Sequence, residues 1–174
     1  MRIIAIDPGI MSGYCYAELH PSEIKGRLIY HPFQINDDVD DLWRRLTDFN
    51  PQHIIIEDFE FRRGKMAAGG LELFPKELIG VSKLFSLIGG KDVDYGAPRL
   101  FIQKAAQGMS YYTNQVLKDA DLYVRGLEHG MDASRHLLQW FTFGYGNQFM
   151  GKQRLEDFAQ ITDEMNWWKN GSNG

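Results

Sequence analysis

The chain has 174 residues, 44% hydrophobic and 24% charged, with a net charge of −4. That is the size and make-up of one globular domain, and no Pro/Gly/Ser-rich tract of linker length divides it. The single Cys15 excludes an internal disulfide, and the N-terminal apolar run is too short for a signal peptide or a membrane span, so a cytoplasmic protein without membrane attachment is expected. The acidic excess is uneven: residues 1–60 carry five Lys/Arg against eleven Asp/Glu, whereas residues 61–108 carry eight against four. Any surface that meets phosphate therefore belongs to the middle third.

Residues 2–7 form an apolar run that ends in Asp7-Pro8-Gly9, the pattern of a buried strand delivering an acid to a turn. Residues 13–19 and 27–33, rich in aromatic and aliphatic side chains, complete an antiparallel meander. Val39, Leu42, Trp43, Leu46 and Phe49 recur at helical spacing before Pro51, with Asp37, Asp38, Asp40 and Asp41 placed to charge the start of that helix. His53-Ile54-Ile55-Ile56-Glu57 is a second buried strand, and it too ends in an acid. A loop with aromatics, basic residues and glycines leads into an apolar helix over 76–88. A fifth strand is expected over 92–97, then helices over 98–107, 112–126, 130–143 and 153–168. Cys15 reads as a small core residue. The pattern predicts a mixed α/β sheet over residues 1–150, with a helical extension and frayed tail over 151–174.

Three segments supply hard oxygen donors: Asp7 from the first strand, Glu57 from the fourth, and Asp132 from a late helix. Clustered carboxylates repel, and oxygen donors of this kind select Mg²⁺, with Mn²⁺ able to substitute. Two such ions serve in-line hydrolysis of a phosphodiester, with Asp7 as the expected bridge. His129 shares a helix face with Asp132 and is placed to ligate or to shuttle protons. His136 falls on nearly the same face and reads as a structural residue or a phosphate contact. Asp58 should point away from Glu57, because side chains alternate along a strand.

The blocks Ile6-Asp7-Pro8-Gly9 with Ser12-Gly13-Tyr14, then Ile56-Glu57, then His129-Gly130-Met131-Asp132-Ala133, resemble the three catalytic blocks of the RuvC class of resolvases. They fall in that family's order and approximate spacing, over residues 1–143, and the pattern looks most like the phage-encoded branch. The resemblance implies an RNase H-like fold, a mixed five-stranded sheet with helices on both faces. It also implies a homodimer that makes paired Mg²⁺-dependent nicks in Holliday junctions. Asp7, Glu57, His129 and Asp132 match the family's four catalytic and metal-binding positions. Three features depart from the family: a shorter turn after Asp7-Pro8-Gly9, an acid after Glu57, and about thirty residues beyond the last block.

The loop after Glu57 holds Phe59, Phe61, Arg62, Arg63 and Lys65, a mixture suited to phosphates and to unpaired bases at a branch. Arg99 and Lys104, expected on a short helix, match basic positions that the family sets against the DNA backbone. Homodimerisation is also expected from the helix over 76–88, whose apolar residues are too many for one buried stripe. Competing readings are a nuclease of the same superfamily acting on flaps, forks or RNA, an actin-like nucleotide-binding module, and a non-catalytic DNA-binding protein.

Overall fold

The computed structural model describes residues 1–20, 27–59, 73–88, 96–150 and 155–162. Strand β1 (Arg2–Asp7) lies between β2 (Met11–His20), antiparallel, and β4 (His53–Asp58), parallel. Its apolar run is continuous because both faces are covered. Ile3 and Ala5 enter one core cluster with Leu137, Leu138 and Phe141, whereas Ile4 and Ile6 enter another with Leu42, Leu46 and Phe85. β3 (Arg27–Asn36) completes the meander against β2. Cys15 is buried in this sheet.

Helix α1 (Val39–Phe49) begins where the acidic run predicts. Asp38 caps it by accepting from the Asp41 backbone N–H at 2.7 Å, and Asp37 holds Arg45 at 2.6 Å. Asn50 closes it in the left-handed conformation, φ 49°. Helix α2 (Phe74–Ile88) lies with α1 on one face of the sheet; α5 (Glu128–Phe143) covers the other. The shorter helices are α3 (Ala105–Tyr111), α4 (Asn114–Asp119), α6 (Asn147–Met150) and α7 (Leu155–Phe158).

Among the described residues the sheet has six strands, in the order β5-β4-β1-β2-β3-β6, where five were expected. β5 is Arg99–Lys104, parallel to β4. Residues 92–95 of the expected fifth strand lie outside the described residues, and Gly96 and Ala97 are not in a strand. The expected helix over 98–107 is therefore corrected: Arg99 and Lys104 bound a strand, and the helix starts only at Ala105. Leu100-Phe101-Ile102 is a short apolar run compatible with either structure, and a free β4 edge decides it. The helix expected over 112–126 stops at Asp119, because Asp121 (φ 55°) and Gly126 (φ 83°) take left-handed conformations. Within the helix expected from 153, residues 159–161 form β6 (Ala159–Ile161), parallel to the outer edge of β3. Among the described residues, no helix is long and apolar enough to cross a membrane.

Candidate active site

Parallel pairing of β1 with β4 puts Asp7 and Glu57 at the same rim of the sheet. α5 starts at that rim. Its first turn carries no side-chain cap of its own, and Gln34 of β3 substitutes by accepting from the His129 backbone N–H at 3.0 Å. Two glycines allow the close approach. A Cβ on Gly13 would stand 1.9 Å from the His129 carbonyl oxygen, and one on Gly130 would stand 2.8 Å from the Phe33 carbonyl oxygen. Because Gly13 is the ladder partner of Asp7, this backbone contact sets His129 and Asp132 beside Asp7.

One donor atom from each of Asp7, His129 and Asp132 lies within 4.8 Å of the others. His129 Nδ1 stands 2.9 Å from Asp7 Oδ2, and the His129 side chain is 47% exposed. Burial raises the Asp7 carboxyl to about 6; the His129 hydrogen bond opposes the rise, and the negative charges of Glu57 and Asp132 reinforce it. Asp132 is also pushed up, first by burial, with Arg135 opposing and Glu57 adding to the rise. Arg135 pairs with Asp132 while donating to the Tyr112 carbonyl at 2.8 Å and to Asn114.

Glu57 turns toward α5, with Oε2 2.7 Å from Nε2 of His136. Its neighbour Asp58 faces the other side of the sheet and meets Lys76 of α2 at 3.1 Å. Strand alternation thus separates the two acids as expected. Carboxylates that are crowded, partly buried and resistant to ionisation, together with an imidazole, make a donor set that fits a divalent cation. Asp7, His129 and Asp132 form the group itself, and Glu57 stands at its border.

The other sequence candidates are more scattered. Lys104 ends β5 at the same rim, opposite Asp58 in the ladder. Arg99 begins that strand at the opposite end, where it lies over the Tyr145 ring at 5.1 Å. Phe59 packs against the core cluster on the α2 face. Phe61, Arg62, Arg63 and Lys65 lie outside the described residues. Arg135 and His136 stand at i+3 and i+4 from Asp132 on α5, a spacing the sequence shows, but nothing local to either residue or to Gln103 marks the partner that each meets.

No protein-family model matches the chain, and no curated protein matches it. Solved structures do. RuvC of Thermus thermophilus superposes with a TM-score of 0.52 at 18% identity, over 82% of this chain and 95% of that one. The same organism's RuvC in complex with a Holliday junction substrate gives 0.53 at 16%, with the same coverage. The yeast mitochondrial Holliday junction resolvase Ydc2 gives 0.54 at 17%, over 80% of this chain and 77% of that one. The α/β fold of this chain, a mixed sheet faced by helices with its acids gathered at one rim, is the RuvC-type, RNase H-like fold.

Proposed function

We propose that the chain is a Mg²⁺-dependent, structure-selective endodeoxyribonuclease that nicks branched DNA such as Holliday junctions in the cytoplasm. The observation that carries this reading is the convergence of Asp7, His129 and Asp132 within 4.8 Å, on a fold shared with junction resolvases. Asp7, Glu57, His129 and Asp132 would hold the cation, with Mn²⁺ as a substitute. When bound, it supplies charge stabilisation at the phosphodiester and a more acidic water. Asp7 and Asp132 provide the negative charge that attracts it, and Arg135 keeps Asp132 in place from behind. His129, bonded to Asp7 through Nδ1, has one remaining nitrogen, Nε2, which would serve either as a ligand to the cation or as the acceptor of the proton released by the attacking water, not as both at once. Purified protein incubated with labelled four-way, three-way, flap and duplex DNA is expected to nick the four-way junction preferentially, and only with Mg²⁺ or Mn²⁺. Full cleavage in excess chelator would refute the metal reading, and preference for flaps would reassign the substrate.

The active unit in this proposal is a homodimer. On α2, Leu78, Ile79 and Phe85 face the core, while Leu84 (49%), Leu87 (70%) and Ile88 (46%) are exposed. Three large apolar side chains on the last turns of one helix are the mark of a covered surface, and two-fold symmetry would present two sites to a junction. Light scattering at micromolar concentration is expected to give a dimer. Leu84→Glu combined with Leu87→Glu is expected to give a folded monomer that makes unpaired nicks. A wild-type monomer would defeat the prediction.

The segment from Phe59 to Lys65 is proposed as the contact that tells branched from linear DNA, with Arg99 and Lys104 as further phosphate contacts. Replacing Arg62, Arg63 and Lys65 by Ala is expected to weaken binding to every DNA. The slope of log affinity against log salt should flatten by about one for each lost phosphate contact. Phe61→Ala is expected to spare duplex binding and to reduce junction cleavage selectively, because stacking on an unpaired base, worth roughly 1–3 kcal/mol, is available only where pairing is broken. Equal losses on duplex and junction would remove Phe61 from that role.

A further inference from the structure

His136 sits one helical turn beyond Asp132 on α5 and is 1% exposed. Both of its ring nitrogens are engaged: Nε2 lies 2.7 Å from Glu57 Oε2, and Nδ1 lies 2.8 Å from Gln103 Oε1. Gln103 belongs to β5 and is the direct ladder partner of Glu57 on β4. One imidazole thus ties three elements together at the rim. With Glu57 ionised, Nε2 carries a proton toward it: Gln103 accepts from Nδ1 when the ring is doubly protonated, and turns its amide to donate when the ring is singly protonated.

A histidine that only filled the core would need a partner for each nitrogen and nothing more. This one takes a carboxylate at the border of the acidic cluster. The choice matters because glutamate has one more rotatable bond than the aspartates, so Glu57 at a strand end would otherwise sample several directions. Held through Oε2, Glu57 keeps Oε1 for another partner.

We propose that His136, oriented by Gln103, is a positioning residue that aims the Glu57 carboxylate at the divalent-cation site; this rests on Glu57 being a ligand there. Residues that orient a ligand from behind raise its affinity for the ion without touching the ion.

The test titrates Mn²⁺ calorimetrically into the full chain, as wild type, Gln103→Met, Gln103→Glu and His136→Asn. Thermal unfolding in chelator is followed alongside. Gln103→Met, close in shape but unable to hold the ring, is expected to weaken Mn²⁺ binding roughly 10-fold, and His136→Asn up to roughly 100-fold. Gln103→Glu, which keeps an oxygen opposite Nδ1, is expected to match wild type or exceed it. In junction cleavage, Gln103→Met should lower kcat and leave KM unchanged. Should His136→Asn fail to fold, the two Gln103 variants on the partly exposed edge strand still decide. Equal Mn²⁺ affinity for Gln103→Met and wild type would overturn the proposal, as would an equal loss in both Gln103 variants. A fall in melting temperature with affinity kept would mark His136 as a core residue only. A wild type that binds no Mn²⁺ would bring down the metal reading and this proposal with it, whereas a wild type that binds while its variants are unchanged brings down this proposal alone.

Discussion

Asp7→Asn is expected to abolish cleavage and, in the absence of metal, to make the protein more stable. The two effects share one cause. The Asp7 carboxyl is raised from its ordinary 3.8 to about 6, chiefly by burial, so the folded chain binds this proton more tightly than the unfolded chain does. Its contribution to stability is complete below about pH 4 and is lost as pH rises through about 6. Above that pH the ionised group is a charge the fold would be better without. A tenfold change in proton affinity is worth about 1.4 kcal/mol, which puts the liability at roughly 2–3 kcal/mol. Asparagine removes the charge and keeps the shape, and the metal-free variant should melt about 5–10 °C above wild type at pH 7.5. Below pH 4 the two should converge.

Added Mg²⁺ reverses the order. The wild type gains stability in proportion to the logarithm of ion concentration, and the variant, short of one ligand charge, gains little. Cleavage should fall on the order of 10³-fold or more, while binding to branched DNA in Ca²⁺ persists, because the residues proposed to meet phosphate are untouched. Retained cleavage would sink the site assignment. A metal-free variant no more stable than wild type would show that burial does not hold the Asp7 carboxyl above its ordinary value.

The blocks that make up the proposed site were legible because each is local. Asp7 and Glu57 end apolar runs, and the alternation of Ile3, Ala5 against Ile4, Ile6 into two clusters is the direct consequence of a strand covered on both faces. His129 and Asp132 need only helical spacing to share a face. What escaped was set by pairing between distant segments. β5 is an edge strand whose three central apolar residues fit a helix as well as a strand. The three-residue β6 is too short for any period. Gln103 gains meaning only from lying opposite Glu57, a register that nothing within residues 99–104 encodes. Helical spacing puts His136 on nearly the face of Asp132 and leaves it a structural residue or a phosphate contact, since spacing alone cannot tell whether a buried imidazole meets a carboxylate or a backbone oxygen.

The same distance in sequence hides a sensitive position outside the acids. Gly13→Ala is expected to break the site by adding one methyl group. Its Cβ would come within 1.9 Å of the His129 carbonyl oxygen, 2.2 Å of the His129 carbonyl carbon and 2.8 Å of the Gly130 nitrogen. All three are backbone atoms on the first turn of α5, so no side chain can swing aside, and the start of the helix must lift from β2. Over-packing of this kind costs about 3 kcal/mol, a fall of roughly 6–12 °C in Tm for a chain of this size. The displacement separates Asp7 from His129 and Asp132, so Mg²⁺-dependent stabilisation and cleavage should be lost even well below the new melting point. Gly80→Ala on α2 provides the contrast: a Cβ there meets nothing within 4 Å, and the better helix former should add about 1 kcal/mol. If Gly13→Ala melted and cleaved like wild type, the first turn of α5 would not be seated on β2 as described, and the convergence of Asp7 with His129 and Asp132 would need another cause.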